Sequence, residues 1–157
     1  MNKTLITTRG SVMKRTLALV LAIAAGGIVA TASSATPTPR SGAVHVTKEC
    51  SQYNGQAGSF CTITSADLKA IDVGSKVIYA EPAGAAGLDS DLVLYTGPGN
   101  SAFGHVILSF ATLSGVVTFS GGTGKFRGFE ANVTVTYNPN TNLWYWDGTY
   151  SFNPPGH

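Results

Sequence analysis

Short segments of alternating hydrophobic and polar residues follow one another along the chain from residue 43 onward. Alternation with a period of two is typical of β-strands that bury one face. Glycine, proline and asparagine separate the segments, and all three favour turns because glycine adopts positive φ, proline fixes φ and asparagine tolerates the left-handed region. The pattern predicts eight strands: Ala43–Glu49, Ser59–Thr64, Ser75–Glu81, Ser90–Thr96, Ala102–Phe110, Gly115–Phe119, Phe129–Tyr137 and Asn142–Phe152.

Regularly spaced strands with few helices are typical of an all-β sandwich or barrel. Only Ser65–Ala70 has a pattern compatible with a helical turn. The segment Phe129–Tyr137 alternates strictly, so we expect it to bury one face and expose the other. Ala102–Phe110 is apolar on both faces, which fits either a closed barrel with a covered outer wall or a subunit contact.

Aromatic residues on the predicted strands form the candidate ligand site. Rings in a barrel mouth bind flat apolar or sugar ligands by stacking, while their OH or NH groups orient the ligand. The same rings could instead fill the barrel or form a subunit interface. With the one histidine of the central strands added, the predicted ligand-binding residues are Tyr79, Tyr95, His105, Trp144, Trp146 and Tyr150.

Candidate catalytic groups are few. His105 could orient a carbonyl or move a proton if its face of the strand were luminal. Glu130 and Asp147 are acids within predicted strands, and a pair across the sheet would form a general acid/base couple; the alternative is a solvated face. The chain lacks the Gly-x-Ser-x-Gly elbow of serine hydrolases, and its glycine run lacks the spacing of a phosphate loop.

The first 35 residues carry the pattern of a secretory signal peptide. Basic residues precede the uncharged run Leu17–Ala30, and small residues follow at the spacing of a cleavage site. We expect cleavage after Ala32 or Ala35, with translation starting at Met1 or Met13. The apolar run is shorter than the ~20 residues that a spanning helix needs, which argues against a membrane anchor.

Processing changes the charge of the protein. The whole chain has 10 basic and 8 acidic residues, a formal net charge of +2. The leader holds four of the basic residues, so six basic and eight acidic residues remain, a net charge of −2. Such a sparsely charged protein has no surface that would attract nucleic acid or anionic lipid. We therefore predict a secreted protein with a linker over residues 36–42 and one domain over 43–157.

The two cysteines of the exported part predict a disulfide. Cys50 and Cys61 close a loop of 12 residues, and a pair in an oxidising compartment is most simply a bridge. Closing a loop of this length contributes about 3 kcal/mol in the chain-entropy model. A zinc site with His45 is the alternative, but the chain has no Cys-x-x-Cys and only three histidines. We predict no metal and no cofactor.

The segment Gly121–Gly128, which reads Gly-Gly-Thr-Gly-Lys-Phe-Arg-Gly, resembles an element of the allene oxide cyclase and dirigent barrel superfamily. In that superfamily a Gly-Gly-Thr-Gly-x-Phe-x-Gly element precedes a long alternating strand, here Phe129–Tyr137. The resemblance covers roughly Ser75 to Phe152. It implies an eight-stranded antiparallel barrel with an apolar cavity, often oligomeric. The catalytic pattern of the plant enzymes is not found, so the resemblance assigns no catalytic residue.

Three functions fit these patterns. The first is a secreted barrel that binds a small apolar or aromatic molecule. The second is a cyclase or isomerase acting on a reactive polyene-like or lipid-like substrate, because folding such a substrate in an apolar pocket needs few ionisable groups. The third is a structural or interaction protein whose barrel is fully packed, with the aromatic residues at an interface with a second copy.

Overall fold

A computed structural model of the chain describes residues 40–153 as a closed eight-stranded barrel. All neighbouring strands pair antiparallel, and the first strand closes the barrel by pairing with the last. The predicted all-β fold with eight antiparallel strands is therefore confirmed. The strands are β1 Ser41–Glu49, β2 Phe60–Ala66, β3 Lys76–Tyr79, β4 Gly87–Tyr95, β5 Ser101–Ser109, β6 Ser114–Thr123, β7 Phe129–Asn138 and β8 Leu143–Phe152.

Every predicted strand differs from the structure at one or both ends, by at most four residues. β1 begins at Ser41, so the last two residues of the predicted linker lie in the first strand. The predicted helical turn at Ser65–Ala70 is absent: the chain leaves β2 after Ala66 and bends. The predicted signal peptide over residues 1–35 and the linker before residue 40 lie outside the described residues. Within residues 40–153, no helix has the length and apolar character needed to cross a bilayer.

Residues that alternate along each strand face the lumen and the outside of the barrel in turn. In β7, Phe129, Ala131, Val133 and Val135 are buried and the residues between them are exposed. Because side chains on a strand alternate across the sheet, each strand contributes every second residue to the lumen. The inner row of β7 was predicted from its parity, and the structure confirms it.

The strand β5 is apolar on both faces but buries only one. Val106 and Leu108 are buried in the lumen, whereas Phe103 and Ile107 are 45% and 62% exposed on the outer wall. Within residues 40–153 the predicted covering of this outer face is therefore only partial, and a subunit contact stays a prediction.

A glycine-rich connection closes the end of the barrel at which β6 finishes and β7 starts. The 3₁₀ turn Gly124–Phe126 carries the side chain of Phe126 into the interior, where it is 0% exposed. Gly128 has a φ of +68°, and a Cβ atom there would overlap the carbonyl oxygen of Asn153. Only glycine fits this position, so the element Gly121–Gly128 has a direct role in building this end.

The predicted disulfide between Cys50 and Cys61 is present. It joins the residue after β1 to the second residue of β2 at the other end of the barrel. Both cysteines are therefore in the bridge, and neither is available to a metal. The bridge pins the loop between β1 and β2 against the barrel mouth.

Candidate functional site

An interior cavity lies at the disulfide end of the barrel, and its volume is about 50 Å³. Its aliphatic wall comes from β4, β5 and β7, and the disulfide contributes its sulfur atoms. The aliphatic residues of the wall are Leu88, Val106, Leu108 and Val135. Because pockets for drug-sized ligands measure about 300–1,000 Å³, this cavity fits only a small molecule or one end of a larger one.

Aromatic side chains also line the cavity. Tyr79 and Trp144, two of the predicted ligand-binding residues, line it together with Tyr53 and Phe110. The rings of Tyr53 and Tyr79 meet edge to face, with their centroids 5.1 Å apart. This geometry is a favourable arrangement of two aromatic rings. The structure thus brings two members of the predicted aromatic set into one enclosed site.

Lys48 is the charged residue of the cavity wall, and it is only 4% exposed. It lies on β1 opposite Trp144 of β8 and shares the inner face of β1 with Val44 and Val46. Lys48 is not among the residues predicted from the sequence. The alternation of β1 could have indicated its position, because Lys48 follows Val44 and Val46 at every second residue and so lies on the buried face.

The amino group of Lys48 contacts a hydroxyl and aromatic rings. Its Nζ donates a hydrogen bond to the Tyr79 Oη over 2.5 Å. It lies 4.9 Å from the ring centroid of Trp146 and 5.3 Å from that of Tyr79, within the range of cation–π attraction. Since Cys61 Sγ carries no proton in the disulfide, Tyr79 donates the hydrogen bond that joins them over 3.7 Å.

Among the residues that the structure describes, none that lines the cavity beside Lys48 has a carboxylate. Desolvation by burial lowers the pKa of Lys48 to about 7, because removal from water penalises the ammonium form. Burial raises the pKa of Tyr79 well above its ordinary value. At neutral pH the site therefore contains a substantial fraction of free amine next to a phenol that keeps its proton.

Tyr53 brings a second hydroxyl to the cavity. Among residues 40–153, its Oη is shielded from solvent and has no hydrogen-bond partner. Burial also raises the pKa of Tyr53, so this hydroxyl keeps its proton at neutral pH. A buried donor without a partner is costly, and a ligand with an acceptor atom would satisfy it.

The remaining predicted aromatic residues lie elsewhere. Trp146 is buried in the lumen beneath Lys48. Tyr150 is buried near the opposite end, with its ring 5.8 Å from that of Phe152. Tyr95 is on the outer wall and partly exposed. The predicted set is thus divided between the cavity, the packed interior and the surface.

The two predicted catalytic candidates are on the outer wall. His105 lies between two carboxylates: its Nδ1 is 2.8 Å from Asp91 and its Nε2 is 2.9 Å from Asp89. The hydrogen bond with Asp91, followed by the contact with Asp89, raises the pKa of His105. To orient a carbonyl inside the barrel, His105 would have to face the lumen. It faces the outer wall instead.

Glu130 and Asp147 do not face each other across the β7–β8 pair. Glu130 lies opposite Ser151, and Asp147 lies opposite Thr134. Glu130 accepts a hydrogen bond from Asn153 Nδ2 over 2.7 Å. Asp147 instead contacts the His45 ring on β1. The predicted acid/base couple is therefore not formed, because the strand register separates the two acids.

Larger depressions lie on the outer wall, including two of about 440 and 470 Å³. Outward-facing side chains such as Asn132 and His105 line them, and they are open to solvent. These depressions are more open to solvent than the interior cavity, and small-molecule sites are usually concave and mostly apolar. We therefore assign the candidate site to the smaller cavity beside Lys48.

Comparison with other proteins does not add a function. No protein-family model, curated protein or solved structure matches this chain. Within the described residues, no group of three or more His, Cys, Asp and Glu side chains is placed to hold a metal ion.

Proposed function

We propose that this protein is a secreted barrel of the allene oxide cyclase and dirigent type that holds a small apolar or aromatic molecule. The observation that carries the proposal is the enclosed cavity beside Lys48, with Tyr79 and Trp144 in its wall. The glycine-rich element that leads into β7 supports the barrel type, and the leader pattern together with the disulfide supports export.

The size and lining of the cavity favour binding over the cyclase alternative. The wall is largely apolar, with polar atoms at only a few points, which is the composition that fixes a small ligand in one orientation. A volume of about 50 Å³ is small for folding a polyene. The ligand is therefore a short molecule or the apolar end of a longer one.

The cavity can be tested with intrinsic fluorescence because the chain has only two tryptophans. Trp144 lines the cavity and Trp146 packs beneath Lys48, so both report on the site. We expect 1-butanol or toluene to give a saturable fluorescence change in the unmodified protein. Leu108→Phe should abolish it, because the larger ring fills the cavity.

Ile107→Phe provides the matched control, since it introduces the same residue one position away on the exposed outer face of β5. This variant should keep the saturable response. A response that is equal in both variants, or that stays linear with ligand concentration, would remove the cavity as the binding site.

A further inference from the structure

Lys48 is buried, although a binding site for an apolar molecule does not need a buried lysine. A lysine amine in a low-dielectric interior without a counter-ion costs free energy. The carboxylates of Asp89 and Asp147 lie on the outer wall, where they contact histidine side chains. A methionine at position 48 would fill similar space without that cost. The placement of an amine there therefore points to a chemical use.

We propose that Lys48 captures a small aldehyde or ketone as an imine inside this cavity. The inference rests on the proposed ligand-binding function and specifies the ligand's reactive group. Three features at the site support it: an amine without a carboxylate partner, a phenol at 2.5 Å from that amine, and the unpartnered Tyr53 hydroxyl in the same wall.

The reaction needs no oxidant or reductant. The lone pair of the neutral Lys48 nitrogen attacks the carbonyl carbon, a C–N bond forms, and the carbonyl π electrons move to oxygen. The nitrogen loses a proton and the oxygen gains one, which gives a carbinolamine. Loss of the hydroxyl as water, with a second proton leaving the nitrogen, produces the C=N bond. One amine and one carbonyl thus give one imine and one water.

The nearby hydroxyls suit this step. Lysines desolvated in apolar pockets act as nucleophiles in this way because the free amine is populated near neutral pH. The Tyr53 hydroxyl can donate to the carbonyl oxygen as it gains charge. Tyr79 shares a hydrogen bond with Nζ and can relay the proton that the nitrogen loses.

A carboxylate ligand fits the donors less well. A buried carboxylate has about four acceptor sites and must be both paired and hydrogen-bonded to offset its desolvation. The cavity wall offers the Lys48 amine and the unpartnered Tyr53 hydroxyl. One carbonyl oxygen is satisfied by the hydroxyl alone, while the amine reacts with carbon. The donor count therefore favours a neutral carbonyl compound.

The test is reductive trapping on the exported protein with its disulfide intact. The protein is incubated with limiting butanal and cyanoborohydride at pH 7, and the modified lysines are located by peptide mass mapping. We expect Lys48 to be alkylated about tenfold or more faster than exposed Lys76, because burial makes the free amine of Lys48 abundant at this pH. Lys48→Met should lose this fast modification, and Lys76→Met should keep it.

A second variant tests the role of the pocket. Tyr53→Phe should slow trapping at Lys48 several-fold while leaving the labelling of Lys76 unchanged. The rate at Lys48 should also rise through pH 7 and then level off. Tyr53 and Tyr79 are the other titratable groups of the cavity wall, and both remain protonated across this range. A purely structural lysine would show neither effect.

Binding of 1-butanol, which cannot form an imine, separates this inference from the proposed function. If 1-butanol binds but Lys48 is labelled no faster than Lys76, the imine inference fails and the binding function stands. If 1-butanol does not bind, the binding function fails. If butanoate binds and blocks Lys48 while butanal is not trapped there, the site is an anion site and the inference is overturned.

Discussion

The two ends of the barrel are built in opposite ways. At the glycine-rich end, the ring of Phe129 packs between those of Phe126 and Phe152, with centroid distances of 5.3 and 5.1 Å. At the disulfide end the interior holds a cavity and the amine of Lys48. The first end is packed with aromatic rings, whereas the second holds a cavity beside a buried amine.

The difference assigns separate tasks to the two ends. Close packing of rings gives most of the local stabilisation through buried apolar area and aromatic contacts. A cavity and a buried amine both reduce stability. The barrel can tolerate them at the disulfide end because the other end is densely packed and the Cys50–Cys61 bridge holds the mouth.

The largest expected effect tests the packing of the glycine-rich end. Phe126→Ala should lower the free energy of unfolding by about 3–5 kcal/mol, because it leaves a void where a fully buried ring was. Phe110→Ala, at the cavity end, should cost about 1 kcal/mol or less, since Phe110 is 36% exposed and already borders empty space. Urea denaturation measures both. Equal losses would contradict the division between the ends.

The next effect tests the buried amine through its pH dependence. Folding lowers the pKa of Lys48 from 10.5 to about 7, so between these values the unfolded state binds more protons and stability rises with pH. Below about pH 7 the penalty is complete. Lys48→Met removes it and should stabilise the protein at pH 6 by about 2–3 kcal/mol, with the tryptophan ring offsetting part of the desolvation.

The advantage of Lys48→Met should shrink as pH rises toward 9. Thermal or urea denaturation at pH 6, 7.5 and 9 measures this change. Lys76→Met is the control, because Lys76 is exposed over the ring of Phe60 and should show no such trend. Parallel pH curves for Lys48→Met and the unmodified protein would show that Lys48 is not buried as an amine.

The smallest effect concerns the outer wall, which belongs to neither end. Ile107→Ser should change the free energy of unfolding by no more than about 0.5 kcal/mol, because the side chain is mostly exposed. If copies of the chain associate through the outer face of β5, the same variant should lower the mass measured by sedimentation. A large loss of stability without a change in mass would mean that this face is covered within one chain.

Much of the architecture could be predicted from local patterns. The period-two alternation of β7 and the turn residues between strands placed all eight strands, because side-chain parity and glycine conformations are local properties. The predicted leader implied an oxidising context, from which the disulfide between Cys50 and Cys61 was expected, and the structure contains it. The glycine-rich element was recognised by its sequence, although its role around Phe126 became clear only from the close approach of Gly128 to Asn153.

The candidate site could be predicted only in part. Tyr79 and Trp144 were selected as aromatic residues on strands, and they line the cavity. Tyr95 and His105 were selected for their residue types, but their strands turn them outward. Residue type does not single out Lys48, because a lysine in a strand is most often solvated, although its parity with Val44 and Val46 places it on the inner face.

Residue types and their period of two are enough to predict short antiparallel strands, the positions of their turns and the apolar face of each strand. Which side chains contact one another depends on how the strands close into a barrel. Barrel closure set the register that separates Glu130 from Asp147 and brings β1 beside β8. That closure places the amine of Lys48 against Tyr79 and Trp146, because contacts between distant strands depend on the geometry of the whole sheet.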